Sequence, residues 1–380
     1  MFLPGALLIL LSYLALFFFS YCWIDPNLTL TSWEPLNQIL EQFKHFGHTN
    51  PALSSRLYLL IMTVLFLGQV YLLFSHFLLR AERKKLLLLA AAVIFLAAFS
   101  YPFLSHDLFS YLFDAKIVWH YQKNPYLFSP DQFTPDPWLR FTHWTHRSMP
   151  YGPVWLAYSL LPAIFSFGRF IINFYGLKLL NGLVFFAAGS CLLKIAHNDR
   201  RVFAYWFFNP FLLIELVVNG HNDLLMIALF FASLFFYQKR KKIISLVLFL
   251  LSAATKFITA LSWPLVFLKN RRFWATGFLF FLFLGFSWQI NRFQPWYFTW
   301  AFLAFPFLGM ANFSWLIVFF CQFLLLALKY YPFLATGSWE KTGYFGFFRL
   351  LFVFLSFFFL FHLPVFKKTA KKLNFFNDRL

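Results

Sequence analysis

Stretches of about 20 mainly apolar residues recur from one end of this 380-residue chain almost to the other, the length a helix needs to cross a bilayer. Inside lipid every backbone N–H and C=O must be bonded within the chain, so such runs become helices rather than open sheets. With 61% of residues hydrophobic and 12% charged, there is too little polar surface to clothe a water-soluble domain of this size. The expected fold is all-α: one polytopic membrane domain over residues 1–380, with about 12–13 transmembrane helices and a large outer loop carrying interfacial helices.

A net charge of +19 would suit nucleic acid only if it were spread over one surface. Here it is broken into short clusters between apolar runs: Arg80 with Arg83, Lys84 and Lys85; Arg200 with Arg201; Lys239 to Lys242; Lys269 with Arg271 and Arg272; and Lys367, Lys368, Lys371 and Lys372. That is the positive-inside pattern, which places these clusters, and a basic tail over 367–380, in the cytoplasm; the absence of any organelle signal is compatible with a multi-pass protein of the plasma (inner) membrane. Residues 2–23 lack a basic leader and a small-x-small cleavage site, so they read as a retained first span. Cys22, Cys191 and Cys321 show no CxxC or Cys/His metal spacing, and no disulfide framework or zinc site is indicated.

Following the charges, a polar loop over 25–55 lies outside, spans cover 57–79 and 86–103, and the longest non-apolar segment, 104–152, emerges as an extracytoplasmic catalytic loop. Residues 153–167 are short for a span and read as a re-entrant or interfacial helix. Residues 202–218 cross outward and 224–237 return. Residues 243–268 form two short helices meeting near Thr255-Lys256, and further spans fall at 273–290, 297–311, 313–331 and 344–361.

Of 13 acidic residues only Glu82, Asp199 and Asp378 fall on the cytoplasmic side; the others lie outside or, like Glu215, near an outer helix end. Acids gathered at one interface suit chemistry on a membrane-borne substrate better than a path through the bilayer. Four constellations stand out. Ser105-His106-Asp107 opens a helical segment in which Asp107 and Asp114 share a face two turns apart; a carboxylate there is either a base or acceptor ligand, or a helix cap. Asn219-Gly220-His221-Asn222-Asp223 serves as a turn, while His221 and Asp223 add groups able to hold sugar hydroxyls or a divalent ion. Lys256 at a helix break either snorkels or meets a lipid phosphate. Gln294-Pro295-Trp296-Tyr297 with Trp300, and Tyr151-Gly152-Pro153 with Trp155, are interfacial anchors or sugar-stacking faces; His143, Trp144, His146 and Arg147 precede the latter.

Six segments occur in a telling order: Ser-His-Asp-Leu-Phe-Ser-Tyr at 105–111, Lys-Asn-Pro-Tyr at 123–126, Tyr-Gly-Pro at 151–153, Asn-Pro-Phe-Leu-Leu-Ile-Glu-Leu-Val-Val-Asn-Gly-His-Asn-Asp at 209–223, Ala-Thr-Lys at 254–256 and Gln-Pro-Trp-Tyr at 294–297. Across 86–300 the chain resembles polyprenyl-phosphate-mannose-dependent mannosyltransferases of the GT-C superfamily, in particular bacterial alpha-1,6-mannosyltransferases. The resemblance implies a GT-C-like fold. It also implies an inverting enzyme that takes a hexose, mannose, from a polyprenyl-phosphate donor at the outer leaflet and gives it to a lipid-linked or glycan acceptor. Asp107 becomes the base and Lys256 a contact of the donor phosphate; a displacement of this kind also has room for a second cation on the departing phosphate, Arg140 or Arg147. The resemblance also suggests sugar contacts around His221 and Asp223; His106, Asp114, Tyr151, Asn222, Trp296 and Tyr297, with Arg147, are the further substrate-binding candidates among the constellations above. The acidic segment here follows the third span rather than the first and reads His-Asp where many relatives carry paired acids, so no cofactor is assigned and a divalent cation stays open. The partners are the donor, the acceptor and membrane lipids, with no nucleic acid. Two other classes compete: a lipid or sugar transporter or flippase, against which the one-sided polar groups count, and an outer-face glycan polymerase or ligase, which His143, His146 and Arg147 keep open.

Overall fold

The computed structural model describes residues 2–337 and 344–365; the basic cluster at 367–372 and the tail 367–380 lie outside the described residues. Among the described residues every regular element is helical. Four helices are long and apolar enough to cross a bilayer: the first, α1 (Phe2–Ser20), with its 3-10 extension; α3 (Pro51–Phe74); α7 (Phe170–Ile195); and α11 (Asn312–Thr336). Between and around them run α2 (Glu34–Thr49), α4 (Arg83–Phe99), α5 (Asp107–Trp119), α6 (Pro153–Ile164), α8 (Asp223–Gln238), α9 (Lys242–Thr255), α10 (Arg271–Trp288) and α12 (Phe345–Val365). The polar loop expected over 25–55 thus contains a helix, started by Pro35 in its first turn, where a missing N–H costs nothing.

Two expected spans take another form. Residues 202–218 are not one helix: the π-helical turn Phe203–Phe207 stops at Asn209, whose side chain accepts the N–H groups of Phe211 and Leu212 and starts a new turn at Pro210. An asparagine that captures the next backbone donors, followed by a proline with none to give, ends a helix in this way. A second π-helical run, Leu213–Val218, then meets α8 at 112°, forming a bent pair. Residues 297–311 are likewise no α-helix but the 3-10 runs Pro295–Leu303 and Phe305–Phe307, punctuated by Pro295, Pro306 and Gly309. At about 2 Å per residue such a run falls well short of the bilayer core. The short helix expected after Tyr151 and the break at Lys256 both occur, as α6 and as the extended residue between α9 and the 3-10 turn Phe257–Ser262.

Three helices carry charge to one end and polar loops to the other. From Arg83 and Lys84, α4 leads to Ser105–Asp107; α8 runs from Asp223 to Lys239; α9 runs from Lys242 to Lys256. Each is about 21–26 Å long at 1.5 Å per residue. Near the basic ends of α4 and α8 the chain after α7 packs in: Arg200 donates to the carbonyls of Leu79 (2.5 Å) and Ala81 (2.8 Å) just before α4, and the ammonium groups of Lys194, in α7, and Lys239, at the end of α8, both lie over the Phe235 ring.

At the other end the bend is held by Lys178, fully buried in α7, whose ammonium donates to the carbonyls of Val217 (3.1 Å) and Val218. Those carbonyls end a helical run and would otherwise be orphaned in an apolar interior. Gly220 follows at φ +75°, with Leu108 of α5 packed where a Cβ would stand, so the turn needs glycine for both its backbone sign and its close approach.

Candidate active site

The polar ends of α5, α8 and α9 enclose a cavity of ≈ 930 Å³. Asp107 is the first residue of α5, and its N–H donates to Ser105 Oγ (3.2 Å), which turns the chain into the helix. The carboxylate does not cap the helix; it sits at the positive N-terminus with its side chain 14% exposed and opens on the cavity. Behind it stands His221, with Nδ1 3.5 Å from Asp107 Oδ2 and Nε2 3.3 Å from Glu215 Oε2. Glu215, wholly buried in the π-helical run, accepts from Tyr330 Oη (2.9 Å) and Asn219 Nδ2 (3.2 Å). Trp296 stacks on the His221 ring at 4.1 Å between centroids. Asp107 therefore heads a buried row of carboxylate, imidazole, carboxylate and phenol. Burial pushes its own carboxyl up, but His221, Lys256 and Arg147 together outweigh this and hold it below the usual carboxylate range.

Lys256 forms the opposite wall. Its ammonium pairs with the buried Asp223 (2.7 Å), lies 3.3 Å from Asn222 Oδ1, and sits over the rings of Trp300 and Tyr297. Asp223 also accepts from the Trp300 indole N–H. The third wall is the segment 144–153, which supplies Trp144, Arg147 and Tyr151. The Arg147 guanidinium stacks on Trp144 at 4.7 Å and meets no carboxylate among the described residues, so its donors are available to an anion. Gly152 lets this segment press on the end of α9: a Cβ there would stand 1.9 Å from the Ala254 carbonyl oxygen.

Of the residues singled out in the sequence, Asp107, Arg147, Tyr151, Asn222, Lys256, Trp296 and Tyr297 line this cavity, and His221 and Asp223 support it from behind. His106 and Asp114 do not line it. His106 turns instead toward Asp25 and His143, its ring stacked on that of His143 at 3.7 Å. Asp114 is buried two turns along α5, and burial, only partly countered by Arg147, pushes its carboxyl up to about 8. It carries its proton at neutral pH and can donate a hydrogen bond but is a poor base. The ordinary aspartate value is near 4, so the native state is penalised increasingly from about pH 4 to about pH 8 and stays so above that. Asp114→Asn is accordingly expected to melt well above the parent protein at about pH 9 and level with it at about pH 4; a difference in melting temperature that does not grow with pH would remove the assignment.

Sequence reasoning missed the support of this site. Glu215 is an acid inside an apolar run, a recognised sign of a functional group, yet its partner Tyr330 lies 115 residues away and nothing local announces the pair. A second cluster also escaped notice: Asp25, His106 and His143 bring three ligand atoms within 4.8 Å of one another.

Compared with known proteins, residues 28–271, more than half of the chain, match the family model described as Alpha-(1->6)-mannopyranosyltransferase, N-terminal domain. No curated protein and no solved structure matches the chain.

Proposed function

This chain belongs to the alpha-(1->6)-mannopyranosyltransferase family, and from that premise we propose that it moves mannose from a polyprenyl-phosphate donor to a lipid-linked or glycan acceptor, at the extracytoplasmic face of the plasma (inner) membrane, with Asp107 as general base. The observation that carries this reading is the meeting of one carboxylate, two cations and a set of aromatic faces on a single cavity: Asp107, Lys256, Arg147, Trp144, Trp296 and Tyr297.

The acceptor hydroxyl oxygen bonds to the sugar C1, the bond from C1 to the phosphate oxygen breaks, and the hydroxyl proton passes to Asp107 while the phosphate leaves with the electron pair. A single displacement of this kind inverts the sugar. Asp107 has the His221 imidazole 3.5 Å behind its carboxylate and receives the proton as the bond forms. Lys256 uses two of its three N–H bonds on Asp223 and Asn222; the third, with the guanidinium of Arg147, faces the charge that grows on the leaving phosphate. The indole and phenol faces suit the apolar face of a pyranose ring.

A lipid donor is supported by a second groove of ≈ 680 Å³, lined by Trp274, Phe278, Phe281, Phe286 and Trp300 among others, that shares Tyr297 with the catalytic cavity. Apolar surface continuous with a charged site suits a molecule with a phosphate at one end and a prenyl chain at the other. The sidedness is supported by the basic helix ends, which lie at the far end of α4, α8 and α9 from the cavity.

The test is transfer of radiolabelled mannose to membrane acceptors by the protein reconstituted in vesicles, with polyprenyl-phosphate-mannose offered in one reaction and GDP-mannose in another. Label is expected to move from the lipid donor and not from the nucleotide donor. Equal use of both would sink the lipid-donor reading while leaving mannosyl transfer intact.

A further inference from the structure

At the far end of the molecule from the catalytic cavity one cation of the basic clusters is withdrawn from water. Arg271, the first residue of α10, is 7% exposed, whereas Lys239, Arg240, Lys241, Lys242 and Lys269 around it are exposed. Its guanidinium donates to the Val266 carbonyl (2.9 Å) and lies over the Tyr237 ring at 5.3 Å. The Nε–H is buried and meets no acceptor, and among the described residues no carboxylate faces the group. The sequence offers none nearby either, since no acidic residue occurs between Asp223 and Glu340. One carbonyl and one aromatic face offset only part of the cost of burying a full charge.

The surroundings suit an anion. Asn270 stands at φ +58° and its side chain bonds none of the first N–H groups of α10, so the positive end of an 18-residue helix is left uncapped beside the guanidinium. Phe267 packs edge-on against Tyr237 of α8 (5.8 Å) and Phe249 of α9 (5.5 Å), which sets the cations of 269–272 beside those of 239–242. The flanking side chains Ile243, Phe273 and Trp274 are apolar and 81%, 59% and 38% exposed. Such a rim belongs in lipid, so the anion that fits here is one that the membrane itself presents.

We propose that Arg271, the start of α10 and the neighbouring lysines hold the phosphate of an anionic phospholipid. Its leaflet, the cytoplasmic one, rests on the sidedness proposed above; the site does not, and its test uses no transfer reaction. The full chain in neutral detergent is titrated with phosphatidylglycerol and with phosphatidylcholine, each with and without an excess of inorganic phosphate. Native mass spectrometry reads the affinity of the first lipid bound. Phosphatidylglycerol is expected to bind at least tenfold more tightly than phosphatidylcholine, to raise the melting temperature, and to resist displacement by phosphate. Its affinity should fall about 10–100-fold in Arg271→Gln, the effect of losing hydrogen bonds to a charged group, and about fivefold in Lys269→Gln. It should stay unchanged in Lys84→Gln, which removes a charge from the exposed cluster at the start of α4. Arg271→Gln takes away a buried unpaired charge and is expected to fold, which its melting curve verifies; Lys269→Gln, at an exposed position, carries the comparison if it does not. Equal binding of the two lipids, an affinity unchanged in both Arg271→Gln and Lys269→Gln, a loss as large in Lys84→Gln, or displacement by inorganic phosphate would overturn the site.

Discussion

Replacing Asp107 by asparagine is expected to slow mannose transfer by about 10²–10⁴-fold, the usual loss when a positioned base is removed. Asparagine keeps the shape of the side chain and its place against His221, but its amide cannot take the acceptor's proton. The loss should therefore fall on kcat, with KM for the lipid donor little changed, because the proton moves only as the transition state forms. Single-turnover transfer with saturating donor separates the two. A variant that still transfers within about threefold of the parent would place the base elsewhere. Asp114 would then be an unpromising substitute, since its carboxyl, pushed up to about 8, holds its proton at neutral pH.

Lys256→Met is expected to lower transfer by about 10²–10³-fold, the size of effect seen when one donor to a developing negative charge is lost. This substitution has a second consequence that has to be separated from the first. Asp223 has no exposed side-chain surface and is paired with Lys256 at 2.7 Å, and breaking a buried pair from one side costs about 3–5 kcal/mol because the remaining charge is stranded. The double variant Lys256→Met with Asp223→Asn removes both charges. Its melting temperature should recover most of the loss while transfer stays low. If the double variant transfers as well as the parent, Lys256 serves only to neutralise Asp223 and the phosphate contact is wrong.

The pieces of the site were legible because each carries its own local signature. Asp107 is announced by Ser-His-Asp at the end of an apolar run, Lys256 by a charge at a helix break, and Asn219-Gly220 by a turn whose glycine indeed sits at positive φ. Their grouping was only partly legible. His106 and Asp114 lie on the same segment as Asp107, yet one turns to Asp25 and the other into the interior, because only a narrow sector at the start of α5 faces the cavity. Glu215 and Tyr330, the far end of the row behind Asp107, come from a π-helical run and from α11. The helix character of 297–311 was misread for a related reason: apolarity marks a segment as buried, but Pro295, Pro306 and Gly309 decide the kind of turn it makes.

By itself the sequence determined that this is an all-helical membrane protein, which of its apolar stretches end in basic clusters, and which short polar segments interrupt the apolar ones. Those are properties of single stretches of chain, set by the transfer of local side chains and backbone into lipid. Which polar side chains meet was decided only by the tertiary structure. Asp25, His106 and His143 come from three separate segments whose spacing does not announce their meeting, and Asp107, His221, Glu215 and Tyr330 form no motif. Their meeting depends on helix ends packed to within an atom's width, by Gly152 against Ala254, Gly220 against Leu108, and Lys178 under the carbonyls of the bend; separations of that kind follow from how the helices pack, and a linear pattern does not record them.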